Sequence, residues 1–502
     1  MLEMIIKDGI IIDGSGAPGS AGDVGVRAGR IAMIGDCSGK NAERVLDARG
    51  RVVTPGFIDL HTHCTANPNI NYLQQGVTLV VTGNCGFSDL DVQTVNDRCK
   101  AGEAGPNIAT LIGHNTIRRH VIGSDDRTPT PEEMDAMRDI VNLAMKRGAM
   151  GLSTGLAYVP GTFTQPEEII ELARTVSRHG GYYASHMRNE SSRVLDSVAE
   201  TIRVGRESGL PAHVSHHKVA GTRFHGYSGK TLGLIESARG EGLDVTLDQY
   251  PYTASCGRIG LLLPEWAQAG GGDAVAARMA DPVLARRMQR HIREQIEKRY
   301  GGAPSRIVIA SCSSDASLQG KTIAQIAAER NRGSSLDEAA ETIMEIARLQ
   351  NPADAGVMCV YHSMSEEDVR RIMAYPHTSI ASDGWGPDRA MGHPHPRSFG
   401  TFPRVLGRYR RDVGLFTLEE AVRKMTSLPA ARLGLADRGV LKEGAAADIV
   451  IFDPDAIADT ATFDDPMRYP DGIDYVVVNG VIAIDHGEHT GALPGRFVPK
   501  PT

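Results

Sequence analysis

"GFIDLHTHCTANPNINYLQQGVTLVVTGNCGFS", residues 56–88, contains two apolar runs of strand character, each stopped by a metal-ligating residue type. His61 and His63 close the first run, and Cys85, between Asn84 and Gly86, closes the second. Nitrogen and sulfur thus stand where strands end. The same texture recurs along the chain in "NIATLIGHN", "AMGLSTGLAY", "GGYYASHMRNE", "LPAHVSHHK", "DVTLDQYPY" and "HTSIASDG". Helical stretches such as "QPEEIIELARTVSRHG" lie between several of them, acidic early and basic late, as the helix dipole favours. Strand alternating with helix implies parallel strands, and about eight of them make an α/β protein built on a (β/α)8 TIM-like barrel.

The two ends of the chain read differently. Short β-rich pieces with glycine turns, "MIIKDGIIIDG" and "DVGVRAGRIAMIGD", open it, and "AADIVIFDP" and "YVVVNGVIAIDHGEHTG" close it. One small β-sandwich formed from both termini is expected over 1–54 plus 441–502, with the barrel over 55–440. The rhythm breaks within 253–357, where "RIVIASCSS" is the clearest strand, so a helical insertion or lid is expected there.

The 502 residues carry a net charge of only −7, with 41% apolar and 23% charged residues, the profile of an ordinary globular protein. A basic nucleic-acid footprint is absent. No run reaches the roughly 18 apolar residues of a membrane span, and "MLEMIIKDG" turns polar too early for a signal peptide, so the cytoplasm is the expected address. Seven scattered cysteines read as reduced thiols rather than as a disulfide framework.

In a barrel of this kind the active site lies at the C-terminal strand ends. His186 ends the fifth run, His216 and His217 the sixth, and Asp383 the last. Alternation puts His61 with His63 on one face and His216 with Lys218 on one face, leaving His217 on the other, so His216 is expected to point inward. Several imidazoles with one thiolate suit zinc, whereas magnesium or calcium would want oxygen. A free cysteine is ordinarily a small buried hydrophobe; Cys85 departs from that by ending a strand in "GNCG". Asp383 reads either as a turn cap or, facing a metal, as a base that takes a proton from water. Lys218, Tyr250 and Tyr252 also stand at strand ends, where a lysine either pairs with a substrate carboxylate or is simply solvated.

"TPGFIDLHTH", "QGVTLVVTGNCG", "ASHMRNE", "VSHHK", "DQYPY", "ASDG", "HPHPRSFGTFPRVLG" and "GVLKEGAAADIVIFDP" together resemble the D-aminoacylase (N-acyl-D-amino-acid deacylase) family of the amidohydrolase superfamily, over nearly the whole chain. The resemblance implies a zinc-dependent hydrolase of the amide bond of N-acyl-D-amino acids. It implies a tightly held zinc on Cys85, His186 and His216, and a second, more weakly occupied metal position marked by His61 and His63. Asp383 would be the acid/base, Lys218 with Tyr250 would hold the α-carboxylate, and Arg397 would touch substrate. Two departures fall on active-site loops. Relatives usually continue "HTH" with two aspartates, whereas this chain reads "HTHCTANPN", and the stretch after "GNCGFS" is abbreviated. A more open acyl pocket is expected, with room for a bulkier N-acyl compound, and Cys64 has no assigned role.

Two rival readings remain. A cyclic-amide hydrolase or isoaspartyl dipeptidase of the same superfamily usually bridges its metals through a carboxylated lysine on strand four, and "GAMGLSTGLAY" holds none. A catalytically silent relative would be expected to have lost ligands or the terminal aspartate. The partner expected is a small N-acylated molecule, without nucleic acid or membrane; the motifs leave the oligomeric state open.

Overall fold

The computed structural model describes residues 1–330, 333–349, 356–386 and 392–501. Eight parallel strand positions form the barrel. Phe57–Asp59, Val77–Thr82 and Asn107–Thr110 make one arc. Ile112–Gly113, Gly151–Gly155, Tyr182–His186, Ala212–Val214, Val245–Gln249 and Thr378–Ile380 make the other. The arcs meet on one side through the third strand position and close on the other by the parallel bridge between Thr62 and Gly384. Strands such as VTLVVT at Val77–Thr82 are buried at every position, as parallel strands covered on both faces must be.

The crossover helices start where their sequences say they should. Thr130 accepts from the Glu133 backbone and Glu133 reaches back, a capping box that opens Pro131–Lys146 with proline in its first turn. Leu172, Ala173 and Val176 of the neighbouring Pro166–Ser177 join Met137 and Val141 in the core between helices and barrel.

Both termini build the second part. Leu2–Ile11, Ser20–Arg27, Arg30–Gly35, Ala42–Asp47 and Val52–Pro55 join Ile449–Phe452, Ile473–Val478, Val481–Asp485 and Glu488–His489 in one continuous nine-stranded sheet. Its apolar face encloses Met4, Ile6, Val24, Val53, Ile449 and Val477. The last residues then return to the barrel, with Phe497 bridging to Ile108.

The expected insertion springs from the seventh barrel strand, and it differs from a purely helical lid. Ser255–Arg258, Ile307–Cys312 and Val357–Tyr361 form an antiparallel three-stranded sheet, accompanied by helices including Pro282–Tyr300 and Leu336–Ala347, around a core of its own. Ser255–Arg258 reads "SCGR" and pairs with residues about a hundred positions away, so no local pattern announces it. Residues 331–332 and 350–355 of this segment lie outside the described residues. Among the described residues no helix is long and apolar enough to cross a membrane.

Candidate metal centre

The strand ends converge at one buried point. Cys85 Sγ lies 3.3 Å from His61 Nε2 and 3.4 Å from both His186 Nδ1 and His216 Nε2, and the last two nitrogens are 2.7 Å apart. His63 Nε2 is 2.9 Å from Asp383 Oδ1, with His61 Nε2 at 3.6 Å from the same oxygen. Imidazole and thiolate lone pairs aimed at one another this closely are what a bound cation relieves, and the nitrogen-and-sulfur set suits zinc chemistry. Ligand atoms of His61, Cys85, His216 and Asp383 all lie within 4.8 Å of one another, as do those of His186, Glu190 and His216. Cys85 stands between the two histidine sets.

The backbone is bent to achieve this. Cys85, His216 and Asp383 adopt φ of 52°, 36° and 51°, a left-handed conformation uncommon outside glycine. Each costs roughly 1–3 kcal/mol and persists only where its surroundings hold it. The His216 N–H donates to Asp248 Oδ1 at 2.6 Å, and the Asp383 N–H to the His61 carbonyl at 2.9 Å. Such turns swing a side chain from the end of a strand toward the barrel axis.

Outer partners orient the donors, as is usual around metal-ligating histidines. Glu190 Oε1 lies 3.1 Å from His216 Nδ1 and accepts from Lys218 Nζ at 2.6 Å. Asp248 Oδ2 pairs with His213 Nε2 at 2.7 Å and lies 3.7 Å from His61 Nδ1. Arg397 Nη1 donates to Asp383 Oδ2 at 2.8 Å and stacks over the Tyr250 ring. Trp385 stacks on His63, and Tyr158 leans on His186.

Electrostatics follow from this crowding. Burial alone would push the Cys85 thiol up, but His61, His186, His216 and His63 outweigh it and hold it well below its usual value. Asp383 behaves alike: burial would raise its carboxyl, yet Arg397, His216 and the His63 hydrogen bond keep it well below the carboxylate range. Both groups are anionic at neutral pH. Cys64, by contrast, is pushed up to about 12 by burial and stays a thiol, 3.2 Å from Thr62 Oγ1.

The structure separates the remaining sequence candidates. His217 turns outward to Thr231 Oγ1 at 2.8 Å. Lys218 is buried on Glu190 and His216 rather than solvated. Tyr252 packs under Arg404 and against His395, away from the donors. Beside the centre, a cavity of about 670 Å³, largely apolar, is lined by His63, Cys64, Cys256, Met358, Trp385 and Arg397. Sequence reasoning missed Glu190, Asp248 and Tyr158. Glu190 sits four residues after His186 in a motif already singled out, and Asp248 shares a strand face with Tyr250, so both were within reach of the alternation argument.

Gly155, the last residue of its strand, has no space for a side chain: a Cβ there would sit 2.0 Å from the Cys85 carbonyl oxygen. Gly155→Ala must displace the Cys85 turn. Overpacking should cost about 1–3 kcal/mol in urea unfolding, and the metal retained per chain should fall. Unchanged metal content would mean that the turn tolerates the shift.

Comparison with known proteins places these features in context. The amidohydrolase family model matches residues 44–484. The chain is 40% identical to D-aminoacylase of Alcaligenes xylosoxydans xylosoxydans, over 99% of this chain and 98% of that one. It is 37% identical to N-acyl-D-glutamate deacylase of the same organism, over 99% and 97%. Among solved structures it superposes with TM-score 0.85 on N-acyl-D-glutamate deacylase from Bordetella bronchiseptica, which was solved with zinc and a phosphonate mimic of the tetrahedral intermediate. That chain is 35% identical, and 99% of each is covered.

Proposed function

The chain belongs to the amidohydrolase family, in the branch of D-aminoacylase and the N-acyl-D-glutamate and N-acyl-D-aspartate deacylases, and we infer that it hydrolyses the amide bond of N-acyl-D-amino acids. The products are a carboxylate and a free D-amino acid. The observation that carries this reading is the convergence of Cys85 with three imidazoles beside the ionised Asp383.

In this proposal Cys85, His186 and His216 hold the tightly bound zinc, and His61 with His63 the weaker position. Zinc held there would supply Lewis acidity toward the scissile carbonyl and make water a nucleophile near neutral pH. Arg397 fixes Asp383 Oδ2 at 2.8 Å, which leaves Oδ1, facing His63 and His61, to take the proton from the attacking water. Asp383 then returns that proton to the leaving nitrogen. Glu190 and Asp248 keep the imidazoles in register through both transfers. The 670 Å³ cavity has room for more than an acetyl group, which supports bulkier N-acyl substrates.

The cyclic-amide alternative is disfavoured by the fourth strand, Gly151–Gly155, which holds no lysine to bridge two metals, while Cys85 occupies the middle of the donor set. All seven cysteines are unpaired, which supports a reducing compartment, and we place the protein in the cytoplasm.

The test is release of free amine by zinc-loaded protein from matched D and L pairs of N-acetyl and longer N-acyl amino acids. Turnover confined to the D members is expected. Equal rates for both hands would overturn the assignment, and hydrolysis of a cyclic diamide in place of every linear pair would transfer it to the rival reading.

A further inference from the structure

The cations near the centre differ in whether a carboxylate already neutralises them. Lys218 is 2.6 Å from Glu190 Oε1, and Arg397 is 2.8 Å from Asp383 Oδ2. Arg258 and Arg119 have no carboxylate partner among the described residues. Arg119 Nη2 reaches only the Val159 carbonyl, at 3.3 Å. Both guanidinium carbons lie 5.7 Å from the centroid of the same ring, Phe87, two residues after Cys85. Burial, and next the charge of Arg258, lower the basicity of Arg119, which is the sign of two like charges without a counter-ion.

Position sharpens the point. A small chamber of about 160 Å³ lies directly on the donors, and Cys85, His216, Asp383, Arg397 and Arg258 are in its wall. Lys218 and Tyr250 are not; both are almost completely buried behind it. In an N-acylamino acid the carboxylate carbon is only about 2.5 Å from the leaving nitrogen. Whatever binds the α-carboxylate must therefore face the chamber in which Asp383 protonates that nitrogen. Arg258 meets this requirement on a firm base, since it ends the inserted strand Ser255–Arg258, pairs with Met358, and accepts at its carbonyl from Tyr361 Oη at 3.0 Å.

Resting on the deacylase reading, we propose that Arg258, reinforced by Arg119 across Phe87, holds the substrate's α-carboxylate, and that Lys218 is a positioning residue that keeps Glu190 on His216. The insertion between barrel strands seven and eight would then contribute a substrate contact as well as a wall. An arginine fork suits a planar carboxylate, and its charge completes only when that anion arrives.

The experiment compares N-acetyl-D-leucine with its uncharged α-amide in wild type, Arg258→Met, Arg258→Lys, Arg119→Met and Lys218→Met. Arg258→Met should raise KM for the acid by about tenfold to a hundredfold, as loss of a charged hydrogen bond does, with kcat within a few-fold and KM for the amide unchanged. Arg258→Lys should recover part of the loss, and Arg119→Met should shift KM the same way by less. Calorimetric Kd values for the acid in an Asp383→Asn background, where the ligand is not consumed, should move in parallel. An acid-to-amide preference untouched by Arg258→Met and abolished by Lys218→Met would overturn the proposal; equal losses for acid and amide would do the same. Wild type hydrolysing and binding neither compound would remove the deacylase reading itself, and this inference with it.

Discussion

Asp383→Asn is expected to keep the tightly held metal and to lose about 10²–10⁴-fold in kcat, the range that a positioned proton carrier supplies. The substitution is nearly isosteric. Asparagine also tolerates the left-handed backbone that Asp383 adopts at φ 51°, so the turn after Thr378–Ile380 should survive where alanine would confound the result. What disappears is the charge and the ability to accept a proton. One side effect is foreseeable, because Arg397 is 2% exposed and loses its carboxylate partner. A buried charge stripped of its partner costs roughly 3–5 kcal/mol, so unfolding and metal content must be measured on the same preparation as the rate. A folded, metal-loaded variant with kcat within tenfold of wild type would show that another group moves the proton.

The barrel was legible because its strands announce themselves locally. Each is a short apolar run with a polar stop, and those stops at positions 61, 85, 186, 216 and 383 are the side chains that the structure brings together. Alternation alone separated His216, which meets Cys85, from His217, which meets Thr231. Three kinds of feature were not legible. The sheet of the insertion depends on pairing such as Cys256 with Val360, which leaves no periodic trace. The continuity of the terminal sheet depends on Val52–Pro55 finding Ile449–Phe452 from the far end of the chain. Orienting groups such as Glu190 and Asp248 look like ordinary acidic residues until the histidines they touch are in place. Long-range contact, rather than residue type, is the missing information in each case.

Cys85→Ala should separate a ligand from a packing residue. If Cys85 were a small buried hydrophobe, alanine would leave metal affinity intact and cost little, since the cavity opened is that of one sulfur atom. The geometry argues otherwise. Its sulfur is within 3.4 Å of nitrogens from three different histidines, and those same imidazoles hold it as a thiolate against the cost of burial. Removing the anion leaves His186 Nδ1 and His216 Nε2 facing each other at 2.7 Å with nothing to draw them together except a bound cation. Metal affinity should fall by more than the about 10–100-fold that follows loss of an orienting partner alone, and turnover should fall with it. Alanine at φ 52° carries the same backbone strain as cysteine, so the comparison is not biased by the turn. Competition with a chelator gives the affinity, and a cobalt-loaded sample should lose the thiolate charge-transfer absorption that wild type shows. Equal affinity and an unchanged cobalt spectrum would move Cys85 out of the metal's coordination shell and leave the imidazoles, with Asp383, to hold it alone.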